Sequence, residues 1–409
     1  MVHYQAYFFG SFSVKGMFDV ENKLAKRVKR VGVSAIRKMM TMGSKVPGAI
    51  SLGQGIPDSK TPLYIREGVI ELLKGGAIHK YSLGPGILEL RTLVADMISK
   101  KGNFPVDPDK HICITAGAIE ALAIVISSIV EEGDEVLLFD PGYPPYIEHI
   151  AFAGGKHVFV PLQENNGWKV DVEKLRAAIT PKTKALIVCS PSNPTGVVMQ
   201  RDDLDTIAKL AEEHGFFVIA DLTYEFLVYE GGPPPTLLLY PGIRDRLIIC
   251  YSFSKEFSMT GWRAGYLFAP EKVMEQALKV HDEFVLCAPT ISQYAALVAL
   301  TKKPNDDPDG LHAELAEKRE LVCARLDAMS DLFSYTKPQG AYYILACYKK
   351  LDIDSWDFAT KILNEAKVIV IPGIAFGSQG ERHVRFSYGA SKERLNEAFD
   401  RIERWAKTL

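Results

Sequence analysis

Between residues 110 and 270 short apolar runs alternate with helical patterns and polar turns. The runs are HICIT, EVLLFD, HVFVPL, KALIVCS, FFVIAD and RLIICY. Segments this apolar have no polar face to turn toward water, so they read as strands covered on both sides. Residues Gly117 to Glu131 read as a helix after the first run, and RDDLDTIAKLAEEHG as a second between the fourth and fifth. Strand and helix in alternation confine the chain to an α/β fold with a mostly parallel sheet.

The texture changes after about residue 300. A break, KKPNDDPDG, precedes a long helix predicted from Leu311 to about Met329, followed by the strand candidates GAYYILA, KVIVIPG and HVRFSY. The last segment is amphipathic, with Ser391 suited to the N-cap and Glu393 to the first turn. Leu395, Ala398, Phe399, Ile402, Trp405 and Leu409 share its apolar face. The expected organisation is a large α/β domain over 61–299 and a smaller α+β domain from 32–60 with 300–409. Residues 1–31 are expected as an N-terminal extension or arm. The first sixteen residues match neither a secretory nor an organelle signal. Met17 offers an alternative start before the basic stretch DVENKLAKRVKRV.

A net charge of −2 gives nucleic acid no electrostatic claim as a partner. The longest apolar run, ALAIVISSIV, is too short to span a bilayer and lies between Glu120 and Glu131, as a buried helix would. Six cysteines lack CxxC or paired spacing, and Cys113, Cys189 and Cys250 lie inside strand runs. They read as reduced, buried thiols of a cytoplasmic protein. Nine histidines show no HExxH or similar ligand spacing, so no metal is expected.

In an open parallel sheet, ligands gather at the carboxyl ends of the strands. HICIT opens into Ala116-Gly117-Ala118-Ile119 at a helix start, where small residues let N–H groups approach an anion. KALIVCS leads into SPSNPTG, which places Asn193 on a proline-flanked turn. FFVIAD ends in Asp221, three residues before Tyr224, and RLIICY leads to Ser252, Ser254 and Lys255 with Arg263 beyond. Any one of these is commonly just a turn or a cap. Together they supply an anion cup, a carboxylate, ring-directed polar groups and an amine. A phosphorylated aromatic aldehyde with a ring nitrogen needs that set, and pyridoxal 5′-phosphate is such a molecule. Asp221 would keep the ring nitrogen protonated, and burial near cations would lower the Lys255 pKa.

The chain resembles the class I/II aminotransferases of fold type I, the aspartate aminotransferase superfamily, from about residue 32 to its end. The motifs ISLGQGIPD, KYSLGPGILELR, TAGAIEAL, DPGYPPY, SPSNPTG, DLTYEFL, SFSKEFSMTGWRAGY, IPGIAFG and VRFSYG stand in family order. The resemblance implies that Lys255 binds the cofactor aldehyde and shuttles the substrate proton. It sets Asp221 against the pyridine nitrogen, Asn193 and Tyr224 on the ring hydroxyl, and Tyr143 on the ring face. Gly117, the Ala118 and Ile119 N–H groups, Ser252, Ser254 and Arg263 would hold the phosphate. Tyr81 would reach the phosphate of a neighbouring subunit, which implies a homodimer with shared sites. Arg385 would clamp the substrate α-carboxylate, with Asn193 and the Gly53 backbone nearby. Read without the resemblance, an arginine in mid-strand could simply face solvent.

The expected reaction moves an amino group from an L-amino acid (aspartate, aromatic or broad range) to a 2-oxo acid, with 2-oxoglutarate as the expected acceptor. A carbon–sulfur β-lyase of the same fold and cofactor is the alternative. A non-catalytic regulator would need a DNA-binding module ahead of the match, where only about thirty residues stand. No GxxxxGK[ST] or GxGxxG supports a nucleotide site. For a second cation facing a dicarboxylic substrate, CAPTISQYAA offers nothing, which leaves Arg37 and Lys38 as candidates.

Overall fold

A computed structural model of the chain describes residues 23–76, 78–304 and 310–409. The first sixteen residues and Met17 lie outside the described residues, as do 305–309 of the KKPNDDPDG break. The strands run in chain order: β1 (Ile50–Ser51), β2 (Ile112–Thr115), β3 (Glu135–Asp140), β4 (Lys156–Pro161), β5 (Thr183–Cys189), β6 (Phe217–Asp221) and β7 (Leu247–Ser252). They continue with β8 (Gly265–Phe268), β9 (Phe333–Tyr335), β10 (Tyr343–Tyr348), β11 (Val368–Ile369), β12 (Ile371–Pro372) and β13 (His383–Ser387).

Seven strands form one sheet in the order β2-β8-β7-β6-β5-β3-β4. The pairs β3–β4, β3–β5, β5–β6 and β6–β7 are parallel, as expected. The antiparallel member is β8, wedged between β2 and β7. Sequence reading did not separate this four-residue strand from the polar motif it follows. Every residue of β2, β7 and β8 is buried, whereas β4 leaves Lys156 exposed and four of its six residues half-buried. The expectation of two covered faces fails at this edge strand, which has only one neighbour.

Helices seal both faces. Arg201–His214 begins on a capping box in which Gln200 and Asp203 each accept from the other's backbone, and it ends at Gly215 with φ +77°. Its buried residues Leu204, Ile207, Ala208, Leu210 and Ala211 form one stripe against the sheet.

The rest of the chain builds a four-stranded antiparallel sheet, β12-β13-β10-β9, and a two-stranded parallel pair, β1–β11. KVIVIPG, read as one strand, is split: β11 pairs with β1 and β12 with β13. Segments far apart in sequence thus close a second core with the helices Leu311–Asp327 and Lys392–Ala406. Ser391 caps the last helix by accepting from the Arg394 N–H, and Leu395, Ala398, Phe399, Ile402 and Trp405 are buried. Leu409, placed on that face by periodicity, lies beyond the helix end and is 39% exposed.

Asp140, at the end of β3, fastens the two cores together. It accepts from Ser378 Oγ at 2.8 Å and from the Gln379 N–H at 3.1 Å. Gly377 makes this approach possible: its φ is +124°, and a Cβ there would stand 2.1 Å from Asp140 Oδ1. Gly377→Ala is expected to destabilise the chain by about 2–4 kcal/mol, seen as a lowered urea midpoint with the slope unchanged. A midpoint equal to wild type would show that the fastening contributes nothing.

Candidate active site

Strand register levels the polar groups at one edge of the large sheet. Gly265 of β8 stands opposite Thr115 of β2 on one side and Ser252 of β7 on the other. Asp221 of β6 is level with Cys189 of β5 and Cys250 of β7. The chain therefore leaves four strands within two residues of one level, and a cavity of about 280 Å³ opens at that end. It is lined by Ala118, Ile119, Tyr143, Asn193, Asp221, Tyr224, Ser252, Ser254, Lys255, Arg263 and Arg385, so nearly all the expected site residues converge.

One end of the cavity is built for an anion. The helix Ala118–Ile129 starts after Gly117, whose φ of +84° aims the next N–H groups outward. Among the described residues no acceptor meets the Ala118 and Ile119 N–H groups. Arg263 donates to Thr260 O at 3.1 Å and Ala116 O at 3.0 Å. A side chain at 117 would strike that guanidinium at 2.7 Å, so glycine is the residue that fits. Ser252 and Ser254, each 5% exposed, complete the cup.

Lys255 follows on the short turn Phe253–Glu256, where its Nζ donates to Gly55 O at 2.5 Å. Burial, then the charges of Arg263 and Arg385, lower its pKa to about 8. At the far end Asp221 is 4% exposed. Its carboxylate accepts from Tyr146 OH at 2.8 Å and from Thr223 Oγ1 at 2.6 Å and N at 3.0 Å. Burial raises this carboxyl's pKa, and those hydrogen bonds pull it back. A cation facing Asp221 would favour the ionised form further. Tyr143 meets Tyr146 edge-on at 5.4 Å, and Tyr224 OH is 2.7 Å from Tyr343 OH.

Arg385 does not face solvent: it is 2% exposed. It donates to Asn193 Oδ1 at 2.8 Å and Gly53 O at 2.5 Å and lies over the Tyr343 and Phe376 rings. Its Nε is buried with no partner among the described residues. Arg385 lines the cavity, and two of its five N–H groups have acceptors among the described residues, so the guanidinium has donors left for an acceptor from outside the chain.

Tyr81, expected to reach a neighbouring subunit, is 81% exposed and absent from this chain's own cavity lining. Arg37 and Lys38 do not line it either; Lys38 Nζ sits 4.3 Å over the Trp356 ring, and Ile36 faces the cavity in their place. Sequence reading also missed Tyr146, Thr223, Gly55 and Tyr343. Thr223 sits two residues past Asp221, the usual spacing for a carboxylate-capped turn, and was within reach. The others arrive through tertiary packing and leave no local signal. Glu164, Cys347 and His383 also come within 4.8 Å of one another away from this cavity, from positions with no recognisable ligand spacing.

A model of the family described as aminotransferase class I and II matches residues 47–402. The chain belongs to this family. It is 39% identical over 385 residues to aromatic-amino-acid aminotransferase 2 of Thermococcus litoralis, which covers 94% of this chain and 98% of that one. It is 38% identical to an aspartate aminotransferase of Pyrococcus abyssi, over 93% and 97% of the two chains. The crystal structure of an aromatic aminotransferase from Pyrococcus horikoshii superposes with a TM-score of 0.84 at 36% identity, covering 91% of this chain and 99% of that one. Fold type I is thereby established, as is an aminotransferase acting between amino acids and 2-oxo acids.

Class I and II aminotransferases use pyridoxal 5′-phosphate. The site fits it on its own chemistry: unaccepted N–H groups, hydroxyls and a guanidinium at one end, a buried carboxylate at the other, and an amine of lowered pKa between. Because the Lys255 amine is neutral above about pH 8, the aminotransferase stripped of cofactor should react with added pyridoxal 5′-phosphate faster as pH rises from 6 to 8. The rate should level off near pH 9, as followed by stopped-flow absorbance. A rate still climbing steeply at pH 10 would mark an ordinary lysine.

Proposed function

We propose that this aminotransferase prefers aromatic amino donors and passes the amino group to 2-oxoglutarate. One observation carries the donor preference. Among the described residues of one chain, the cations lining the cavity are Lys255, Arg263 and Arg385, and all three have work there. None of these is left for the distal carboxylate of a dicarboxylic donor. Ile36, Ile56, Tyr143 and Tyr343 make an apolar part of the remaining wall, beside Gln54 and Thr260, and this part suits an aromatic ring. The named relatives support both the aromatic and the aspartate reading.

The geometry supports the following roles. Gly117, Ala118, Ile119, Ser252, Ser254 and Arg263 would hold the phosphate, and Asp221 would keep the ring nitrogen protonated. Asn193 and Tyr224 would serve the ring hydroxyl, and Tyr143 the ring face. The bound cofactor supplies an electron sink that stabilises negative charge at the substrate Cα. Arg385 then receives the α-carboxylate through guanidinium N–H groups not given to Asn193 and Gly53, which orients the Cα–H bond. Lys255 takes the Cα proton as general base and returns it as general acid. Its lowered pKa suits both directions near neutrality.

We further propose a homodimer in which Tyr81 completes the partner's phosphate site. Tyr81, Leu83, Phe284 and Leu286 stand 81%, 73%, 69% and 47% exposed around one loop, an apolar patch that a second copy would cover. The proposed division sets 32–60 and 300–409 as the smaller domain against 61–299. Six cysteines without disulfides support a cytoplasmic setting.

With 2-oxoglutarate as acceptor, kcat/KM for phenylalanine and tyrosine is expected to exceed that for aspartate by about tenfold or more, the scale of one missing ion pair. Parity, or preference for aspartate, would overturn the donor assignment. Lys255→Ala should reduce transamination by at least about 10³-fold while retaining cofactor by its phosphate, measured in parallel by activity and absorbance. A variant with full turnover removes Lys255 from the mechanism.

A further inference from the structure

Behind the anion cup lies a buried pair that the proposed roles do not use. Glu120 sits in the first turn of the helix Ala118–Ile129, the helix whose start forms the cup. Its carboxylate accepts from the Ala116 N–H through one oxygen and meets His281 Nδ1 at 2.6 Å through the other. The second ring nitrogen, Nε2, is 2.9 Å from Gly84 O. A carboxylate and a carbonyl can only accept, so both ring nitrogens must donate, and His281 is an imidazolium. The residue is 0% exposed. Burial opposes the charge, but the hydrogen bond and charge of Glu120, then Gly84 and Asp282, leave the pKa above the ordinary histidine value.

A carboxylate in the first turn is ordinarily favourable to a helix, because it answers the positive end of the backbone dipole. At this helix it competes with the phosphate for the same field. An uncompensated Glu120 would set a negative charge immediately behind a cup meant for a dianion. We propose that His281 is a positioning residue for the cofactor phosphate. It cancels the Glu120 charge and holds Glu120 against the Ala116 N–H, so that the cup keeps its full attraction for an anion. Through Gly84 O the same ring anchors the loop that carries Tyr81. The proposal rests on the reading that the phosphate sits at Gly117–Ile119.

Charge counting separates this role from packing. The wild-type pair sums to zero. His281→Gln leaves −1, Glu120→Gln with a neutral histidine leaves zero, and the double variant leaves zero; Asp282 is unchanged throughout. The full chain, freed of cofactor, is titrated with pyridoxal 5′-phosphate and separately with pyridoxal, read by tryptophan fluorescence, with folding checked by circular dichroism. His281→Gln is expected to weaken pyridoxal 5′-phosphate about tenfold and pyridoxal less than about twofold, and Glu120→Gln/His281→Gln to restore the first to within about threefold. Equal losses for both ligands, or a double variant weaker than His281→Gln, overturn the proposal. Should His281→Gln fail to fold, Glu120→Gln alone decides: unchanged phosphate affinity supports charge cancellation, and a tenfold loss refutes it. Arg263→Ala tests the underlying reading separately. It must weaken pyridoxal 5′-phosphate more than pyridoxal, and otherwise the phosphate does not occupy this cup.

Discussion

A guanidinium removed almost wholly from water has to be met on all sides, because an unpaired buried charge is among the most costly features a fold can carry. Arg385 meets that demand with groups from widely separated segments: Gly53 O from the N-terminal region, Asn193 from the turn after β5, and the rings of Tyr343 and Phe376 from the second core. None of these segments can move far without stranding the cation. The cavity's substrate-facing wall therefore depends on both cores being docked. Two of its five N–H groups are taken by Asn193 and Gly53, which leaves donors for a carboxylate from outside the chain.

The same low-dielectric setting governs the other ionisable groups. Desolvation pushes both Lys255 and Asp221 toward their neutral forms; the charges of Arg263 and Arg385 push Lys255 further the same way, whereas hydrogen bonds from Thr223 and Tyr146 return Asp221 toward charge. Gly55 O occupies the Lys255 amine in the free chain, and Tyr146 and Thr223 occupy the carboxylate. Each of these groups thus has a neutral hydrogen-bond partner within the chain.

Much of this was legible in the residues. The parallel strands announced themselves because burial on both faces leaves an unbroken apolar run, and the strand-end residues because polar chemistry directly after such a run has few structural uses. What stayed hidden has physical reasons. Strand β8 is four residues long and follows a loop rich in glycine and hydroxyls, so its alternation had no length over which to show. KVIVIPG is continuous in sequence but serves two sheets, and no periodicity reports a change of partner. Tyr146, Tyr343 and the Gly55 carbonyl reach the cavity from segments whose local pattern is that of ordinary core or turn. Arg37 and Lys38 looked available because they are charged and nearby in the chain, yet Ile36 is the neighbour that faces inward.

The short antiparallel strand has a wider meaning. Since Gly265 stands level with both Ser252 and Thr115, one stretch of backbone from β7 to β8 carries Lys255 and Arg263, and presses against the start of the cup helix. The amine and the anion site are thereby mounted on one rigid caliper whose gap is set by main chain. No side-chain replacement can widen one end without disturbing the other. The opposite wall includes Ile36, Ile56 and Tyr343, which come from segments outside that stretch of backbone. Divergence in such a scaffold has free play where the donor's side chain lies and almost none where the cofactor does.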